Sequence, residues 1–352
     1  MLSPSQFRDL ASGRRRGLGA ALLRSLLRLA EIPYTAAMRW RNWRYDTGAA
    51  LVHRVPAQVV SVGNLTLGGT GKTPMVEWLA RWFRCQGAEF AVVSRGYSAQ
   101  QGALNDEALE LRLKLPGVRH WQNPDRVAAA QEAIQQTGSR VILLDDAFQH
   151  RRMARDLDIV LLDALEPFGF GHVFPRGTLR EPIDGLRRAH VLVLARADML
   201  EPAQREQLRR EASQYAPQAV WAEAVHAPRK LWDSHGQTSP VESLAAKRLV
   251  AFCGLGNPAG FRHTLAACGY HLADFREFAD HYRYTPADAQ RLALWARQHG
   301  AEAVVCTCKD LVKLAVDRLG STPLWALGIE LEFLSGQEPL EARLRALLES
   351  VP

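Results

Sequence analysis

Residues 63–74 read Gly63-Asn-Leu-Thr-Leu-Gly-Gly-Thr-Gly-Lys72-Thr73-Pro74. Glycines at 68, 69 and 71 directly before Lys-Thr suit the cradling of phosphate. The amides of Gly68, Gly69, Thr70 and Gly71 can point at phosphate oxygens, Lys72 can meet the β- and γ-phosphates, and Thr73 can ligate Mg²⁺. The usual pattern places a further glycine six residues before the lysine, where Thr66 stands instead. Pro74 suits the first turn of a helix, where its missing N–H is not needed. A second set is acidic. Asp145 and Asp146 end the apolar run Val141–Leu144, and a carboxylate at the carboxyl end of a strand is where phosphate-loop proteins hold the Mg²⁺ shell. The pattern leaves open which of the two touches metal. Asp163, after Ile159–Leu162, suits either such a role or a cap on the following turn.

These residues need elements to hold them. Residues 57–62 predict a strand, and Met75, Val76, Trp78, Leu79 and Trp82 predict a helix after the loop. Apolar runs at 141–144, 159–162 and 190–194 alternate with helical patterns, which predicts a parallel sheet covered by helices. The expected fold is therefore α/β, like a P-loop NTPase, with ligands at the carboxyl ends of the strands. A smaller α/β unit follows: a strand at 249–253, a Gly254-Leu-Gly256 turn, a helix from Pro258 to Cys268 and a strand at 303–306. Two glycines without a third make Gly254 and Gly256 a tight turn rather than a dinucleotide site.

Composition narrows the classes. A chain of 352 residues with 47% hydrophobic and 23% charged residues is globular and long enough for two domains. The net charge of +7 is concentrated: residues 1–50 hold nine arginines against three acids, while the rest nearly balances. That disfavours a nucleic-acid-binding body. Five scattered cysteines without a C-x-x-C pair argue for reduced thiols and against a zinc site. No apolar run is long enough for a spanning helix. Leu18, Leu22, Leu26 and Leu29 form a helical stripe among Arg14–Arg16, Arg24 and Arg28, with Trp40 and Trp43 beyond. An interfacial helix for anionic lipid has this make-up, and so does a helix packed on its own core with solvated arginines.

Five stretches occur in order: Gly63–Pro74; Ser94-Arg-Gly-Tyr97; Asp145-Asp-Ala-Phe-Gln-His150 with Arg155-Asp156; Leu179-Arg-Glu-Pro182; and Ala279-Asp-His281. Together they closely resemble the tetraacyldisaccharide 4'-kinase family of lipid A biosynthesis, over about residues 15–335. The resemblance implies transfer of the ATP γ-phosphate, with Mg²⁺, to the 4'-hydroxyl of tetraacyldisaccharide 1-phosphate, giving lipid IVA. It implies a membrane-bound lipid substrate and a peripheral enzyme at the cytoplasmic face of the inner membrane. It favours the interfacial reading of the N-terminal helix, and it implies no nucleic-acid or protein partner. Asp106 matches the likely base and His281 the histidine that pairs with it. Asp145, Asp146 and Glu181 match the acidic set for metal and phosphates. His150 matches a residue near the nucleotide phosphates, and Arg95, Tyr97 and Arg126 match positions that grip the substrate.

The expected organisation is an amphipathic segment over 1–50, a P-loop kinase domain over 51–225, a linker over 226–246 and a C-terminal α/β domain over 247–352. Departures from the family pattern are Asn105 for Gly, Ala147 for Gly, Phe170, Arg176 and Thr178 for Asn, Ala and Pro, and Cys308 for Glu. They bear on loop conformation and substrate detail. The rival class is a GTPase-like switch, but its guanine-reading Asn/Thr-Lys-x-Asp is replaced by Ala195-Arg196-Ala197-Asp198.

Overall fold

A computed structural model describes residues 4–96 and 104–350. Helices α1 (Pro4–Ala11) and α2 (Leu18–Asp46) precede β1 (Gln58–Asn64), α3 (Lys72–Cys85) and β2 (Phe90–Ser94). Next come α4 (Asp106–Lys114), β3 (His120–Gln122), α5 (Arg126–Thr137), β4 (Val141–Asp145), β5 (Leu157–Asp163), β6 (Val191–Ala195) and α6 (Pro202–Tyr215). Then follow β7 (Val220–Trp232), β8 (Thr238–Ser239), β9 (Leu249–Cys253), α7 (Pro258–Ala267), β10 (Leu272–Glu277) and α8 (Pro286–Gln298). The remaining elements are β11 (Ala303–Thr307), α9 (Cys308–Leu314), β12 (Arg318–Leu319), β13 (Thr322–Ser335) and α10 (Gln337–Glu349).

The chain forms two compact units. The first comprises Met1–Arg95, Arg119–Val225 and Phe333–Pro352, and the second Gly96–Val118 and His226–Glu332. In the first, the strands run in the order β7-β6-β5-β1-β4-β2-β3, all parallel. Continuous apolar runs fit because both faces are covered. Val160, Leu162, Leu192 and Leu194 enter one core, while Val59, Val93, Ile142 and Leu144 enter another. In the second unit β10, β9, β11 and β13 are parallel neighbours. Their side chains alternate in the same way: Val250, Phe252 and Val304 in one cluster, Leu249, Ala251 and Val305 in the other.

The expected α/β class and the strands at 57–62, 141–144, 159–162, 190–194, 249–253 and 303–306 are present. The expected domain limits need revision. Residues 226–246 are no free linker. β7 continues to Trp232, and Leu231 and Leu244 are buried in the second unit's core. Pro228, Gly236 and Pro240 gave the segment a loop-like composition, whereas its buried leucines tie it down. Residues 333–352 belong to the first unit, where Phe333 packs edge-on against Trp78 of α3 at 5.0 Å. Gly96–Val118 belongs to the second.

Candidate functional site

The first unit builds a phosphate site at the carboxyl ends of β1 and β4. Gly63 must be glycine, because a Cβ there would stand 2.6 Å from the Phe148 Cβ and 2.7 Å from its amide nitrogen. The loop after Asn64 is stitched to the segment around Leu179. Leu67 N–H donates to the Thr178 carbonyl and Arg180 N–H to the Leu65 carbonyl, both at 2.7 Å. Arg196 steadies the loop from the other side, donating to the Gly69 carbonyl at 2.9 Å while pairing with Asp163 at 2.8 Å. Gly71, left-handed at φ 87, opens α3 as its N-cap, so the first amides of α3 are left for an anion. The Lys72 Nζ lies 3.3 Å from the Asn64 Oδ1 and 3.5 Å from the Asp146 Oδ1.

Asp145 ends β4 with 4% of its surface exposed, and Thr73 is similarly buried. Asp146 takes a positive φ of 48 and accepts from the Arg180 Nη1 at 2.8 and 3.0 Å. Burial opposes its ionisation, but Lys72 and Arg180 outweigh this and hold its carboxyl well below the usual range. The buried Arg126 donates to the Asp146 carbonyl at 2.9 Å. It thus braces the strand end. Arg95 is exposed after β2, and Tyr97 lies outside the described residues. His150 follows β4. Burial first, then Arg126 and Arg155, push its imidazole down to about 4. At neutral pH it is a neutral hydrogen-bonding group.

Glu181 departs from the metal role expected of it. It is fully buried, and its Oε1 accepts from Arg188 at 2.7 Å and from Gln149 at 3.0 Å. Its Oε2 accepts from Asn42 of α2 at 2.7 Å. Both oxygens are committed to holding α2 and the Gln149 turn against the loop. Replacing Glu181 by Leu should therefore cost about 3–5 kcal/mol, because the Arg188 guanidinium would stay buried without its carboxylate. Urea unfolding measures this. A residue needed only for metal would leave unfolding unchanged.

The remaining oxygen donors, Thr73, Asp145 and Asp146, fit a hard cation. Among the described residues no three His, Cys, Asp or Glu side chains gather as a metal centre of their own. Mg²⁺ needs no such cage, since it keeps waters and phosphate oxygens alongside one or two carboxylates.

The second unit carries the other candidate pair. Asn105 caps α4, accepting from the Ala108 N–H at 3.0 Å, so its presence in place of glycine has a local reason. Asp106 is the first helical residue, and its Oδ2 lies 3.1 Å from the His281 Nδ1. His281 sits in the turn after β10 with φ 56, a left-handed conformation uncommon for a non-glycine residue. Burial would raise the Asp106 pKa, but the His281 bond and the Lys313 charge outweigh it and lower it. The same bond raises the His281 pKa. Lys309 of α9 pairs with the neighbouring Glu107 at 2.9 Å.

The expected residues thus fall into two groups: Lys72, Thr73, Asp145, Asp146, His150 and Arg126 in the first unit, Asp106 and His281 in the second. Asn64, Arg180 and Arg196 were missed. Asn64 stood in the glycine-rich stretch and Arg180 in the Leu-Arg-Glu-Pro stretch, so both were within reach of the motifs.

A glycine loop leading into a helix, with a lysine beside a strand-end carboxylate on a parallel sheet, defines a P-loop phosphate-binding α/β protein. Residues 23–349 match the model of the LpxK family, tetraacyldisaccharide-1-P 4'-kinase. The tetraacyldisaccharide 4'-kinase of Anaeromyxobacter sp. (strain K) is 40% identical over 357 residues, covering 96% of this chain and 94% of its own. That of Anaeromyxobacter dehalogenans (strain 2CP-C) is 40% identical over 352 residues, covering 94% and 92%. The crystal structure of LpxK from Aquifex aeolicus in complex with ATP superposes with a TM-score of 0.72 at 28% identity, covering 92% of this chain and 99% of that one. The chain belongs to the tetraacyldisaccharide-1-P 4'-kinase family and acts as a tetraacyldisaccharide 4'-kinase in lipid A biosynthesis.

Proposed function

We propose that the first unit binds ATP on residues 68–73, with Lys72 on the β- and γ-phosphates, and that Asp106 serves the 4'-hydroxyl of tetraacyldisaccharide 1-phosphate. The observation that carries this is the placement of Lys72 at the start of α3, within 3.5 Å of Asp146 and 3.3 Å of Asn64. Phosphate oxygens arriving there meet helix amides and a lysine already held at the strand ends. Thr73, Asp145 and Asp146 would hold Mg²⁺, which neutralises phosphate charge when bound. Asp106 accepts the hydroxyl proton as the oxygen attacks, and His281 orients the carboxylate. His150 donates to a phosphate as a neutral imidazole. Arg95, Tyr97 and Arg126 remain proposed for the substrate's 1-phosphate or sugar. The product is lipid IVA.

The test is phosphate transfer to tetraacyldisaccharide 1-phosphate in detergent micelles, with ATP or GTP, with and without chelator. ATP- and Mg²⁺-dependent product is expected. GTP hydrolysis without lipid phosphorylation would instead favour the switch class. Arg196, at the place of the guanine-reading motif, is already engaged by Gly69 and Asp163.

The same reading places the enzyme on the cytoplasmic face of the inner membrane. Among the described residues no helix is long and apolar enough to cross a bilayer. Leu18, Leu22, Leu26, Leu29, Ile32, Trp40 and Trp43 of α2 are all more than half exposed, so the stripe does not pack on the chain's own core. Opposite it, Tyr34 joins a core cluster and Asn42 is buried. An apolar stripe flanked by arginines and tryptophans suits an anionic lipid surface. Leu22, Leu26 and Leu29 all changed to Gln should weaken binding to anionic vesicles by on the order of 10³-fold, at about 1.5 kcal/mol per leucine. Co-sedimentation measures it, and unchanged pelleting would sink the idea. Point changes are preferable to deleting the segment, which would strip Asn42 from Glu181.

A further inference from the structure

The candidate base has a second cation beside it, and that cation is anchored. Thr307 ends β11 and caps α9, accepting from the Asp310 N–H at 3.2 Å. Its hydroxyl donates to the Asp310 Oδ2 at 2.7 Å. Asp310 has no exposed surface. It also accepts from the Gly254 N–H and the Tyr284 hydroxyl, each at 3.0 Å. A Cβ on Gly254 would stand 2.9 Å from the Asp310 Oδ1, so the glycine of the Gly254-Leu-Gly256 turn lets the carboxylate come close. Three donors from three segments therefore fix one buried negative charge.

Lys313 stands one turn further along α9, its side chain only 10% exposed. Its Nζ lies 3.4 Å from the Asp310 Oδ1 and 3.6 Å from the Asp106 Oδ2. One of its two carboxylates is thus immobile and the other is the one that meets the acceptor. We propose that Lys313 is a positioning residue for the transfer: seated on Asp310, it holds the Asp106 carboxylate at a fixed angle beside His281. This rests on the reading of Asp106 as the group that serves the acceptor hydroxyl. The charged groups around Asp106 are His281 with Asp280 on the turn, Glu107 on its own helix, and Lys309 and Lys313 on α9. Lys309 is occupied by Glu107, which leaves Lys313 as the link between Asp106 and a buried anchor. A small misplacement of a reacting group can cost about 10²-fold, so such a link has kinetic consequences.

Lys313→Met keeps the stem and removes the charge. It should lower kcat by on the order of tenfold, within what misplacement costs, and leave the KM values near wild type. The acid limb of the pH–kcat profile should move toward neutrality by about one unit, since Asp106 loses an opposite charge. Lys313→Arg should restore both. In an Asp106→Asn background Lys313→Met should add nothing. If Lys313→Met does not fold because Asp310 is left charged, the double variant Lys313→Met/Asp310→Asn removes both charges and should show the same limb shift. A folded variant with wild-type kcat and an unmoved acid limb overturns the proposal, as do multiplicative losses with Asp106→Asn. Should Asp106→Asn itself keep wild-type kcat, the base reading fails and the proposal with it. An inactive Asp106→Asn beside an unaltered Lys313→Met removes the proposal alone.

Discussion

Purified Lys72→Ala is expected to fold normally and to lose roughly 10²–10³-fold or more in kcat, the scale for removing one pre-placed electrostatic partner. The fold should survive because Asp146 keeps its other cation. The Arg180 Nη1 still donates to it at 2.8 and 3.0 Å, and the Arg126 Nη2 still holds its carbonyl at 2.9 Å. Catalysis should fall because the variant loses an ammonium held at the strand ends that can follow charge as it builds on the transferring phosphate. Lys72 is the first residue of α3, at the helix end that carries partial positive charge. Lys72→Arg is expected to rescue poorly, since a planar fork cannot stand where a compact ammonium fits between Asn64 and Asp146. The measurements are kcat, nucleotide affinity and a thermal melt. A variant with wild-type kcat would show that the phosphate site has been put in the wrong place.

Motif and periodicity were enough for the phosphate half of the molecule. Glycines before Lys-Thr and apolar runs ending in Asp are local signals, and β1, the loop, α3 and the end of β4 follow from them. What they could not disclose is partnership across the chain. The metal role expected of Glu181 rests on the family resemblance alone. Its fate is decided by Asn42, 139 residues away, and by Gln149, 32 away. Arg126 matches a substrate-gripping position by resemblance, and its burial with a bond to the Asp146 carbonyl adds a bracing role that the motif does not disclose.

Domain limits failed for a related reason. A stretch with Pro228, Gly236 and Pro240 has the composition of a linker, and only the burial of Leu231 and Leu244 reveals that it belongs to a core. The helix around Asp106 joins residues more than a hundred positions later through α9. Asn105 was legible after all. An Asn before Asp-Glu at a helix start is a cap on physical grounds, and treating it only as a replacement for glycine hid that. Cys308 is similar: its thiol is buried and directed at the Leu327 carbonyl, a packing role that local sequence does not reveal.

Asp106→Ala and His281→Ala should each lower kcat by about 10²–10⁴, the range for a positioned acid–base group, and the double variant should lose far less than the product of the two. The geometry requires this coupling. The His281 Nδ1 is 3.1 Å from the Asp106 Oδ2, and His281 takes a left-handed φ of 56 in the turn after β10. The pair also sets the pH dependence. His281 titrates above the ordinary histidine value because of its bond to Asp106, and Asp106 titrates below the ordinary carboxylate value. The histidine's contribution to stability is full below its unfolded pKa and is lost as pH rises through its raised folded pKa. The aspartate's is present above its unfolded value and is lost as pH falls through its lowered one. The ion pair is therefore most stabilising from mildly acidic to neutral pH. Catalysis should behave in the opposite sense on the alkaline side. An imidazolium beside Asp106 weakens it as a base, so above the acid limb set by Asp106 a second rise in kcat is expected as pH passes upward through the raised His281 pKa, and that second step should vanish in His281→Ala. Nucleotide affinity should stay close to wild type in all three variants, because neither residue belongs to the loop that begins α3. Independent, multiplicative losses would leave Asp106 as a lone base, and losses confined to nucleotide affinity would move both residues out of the acceptor's chemistry.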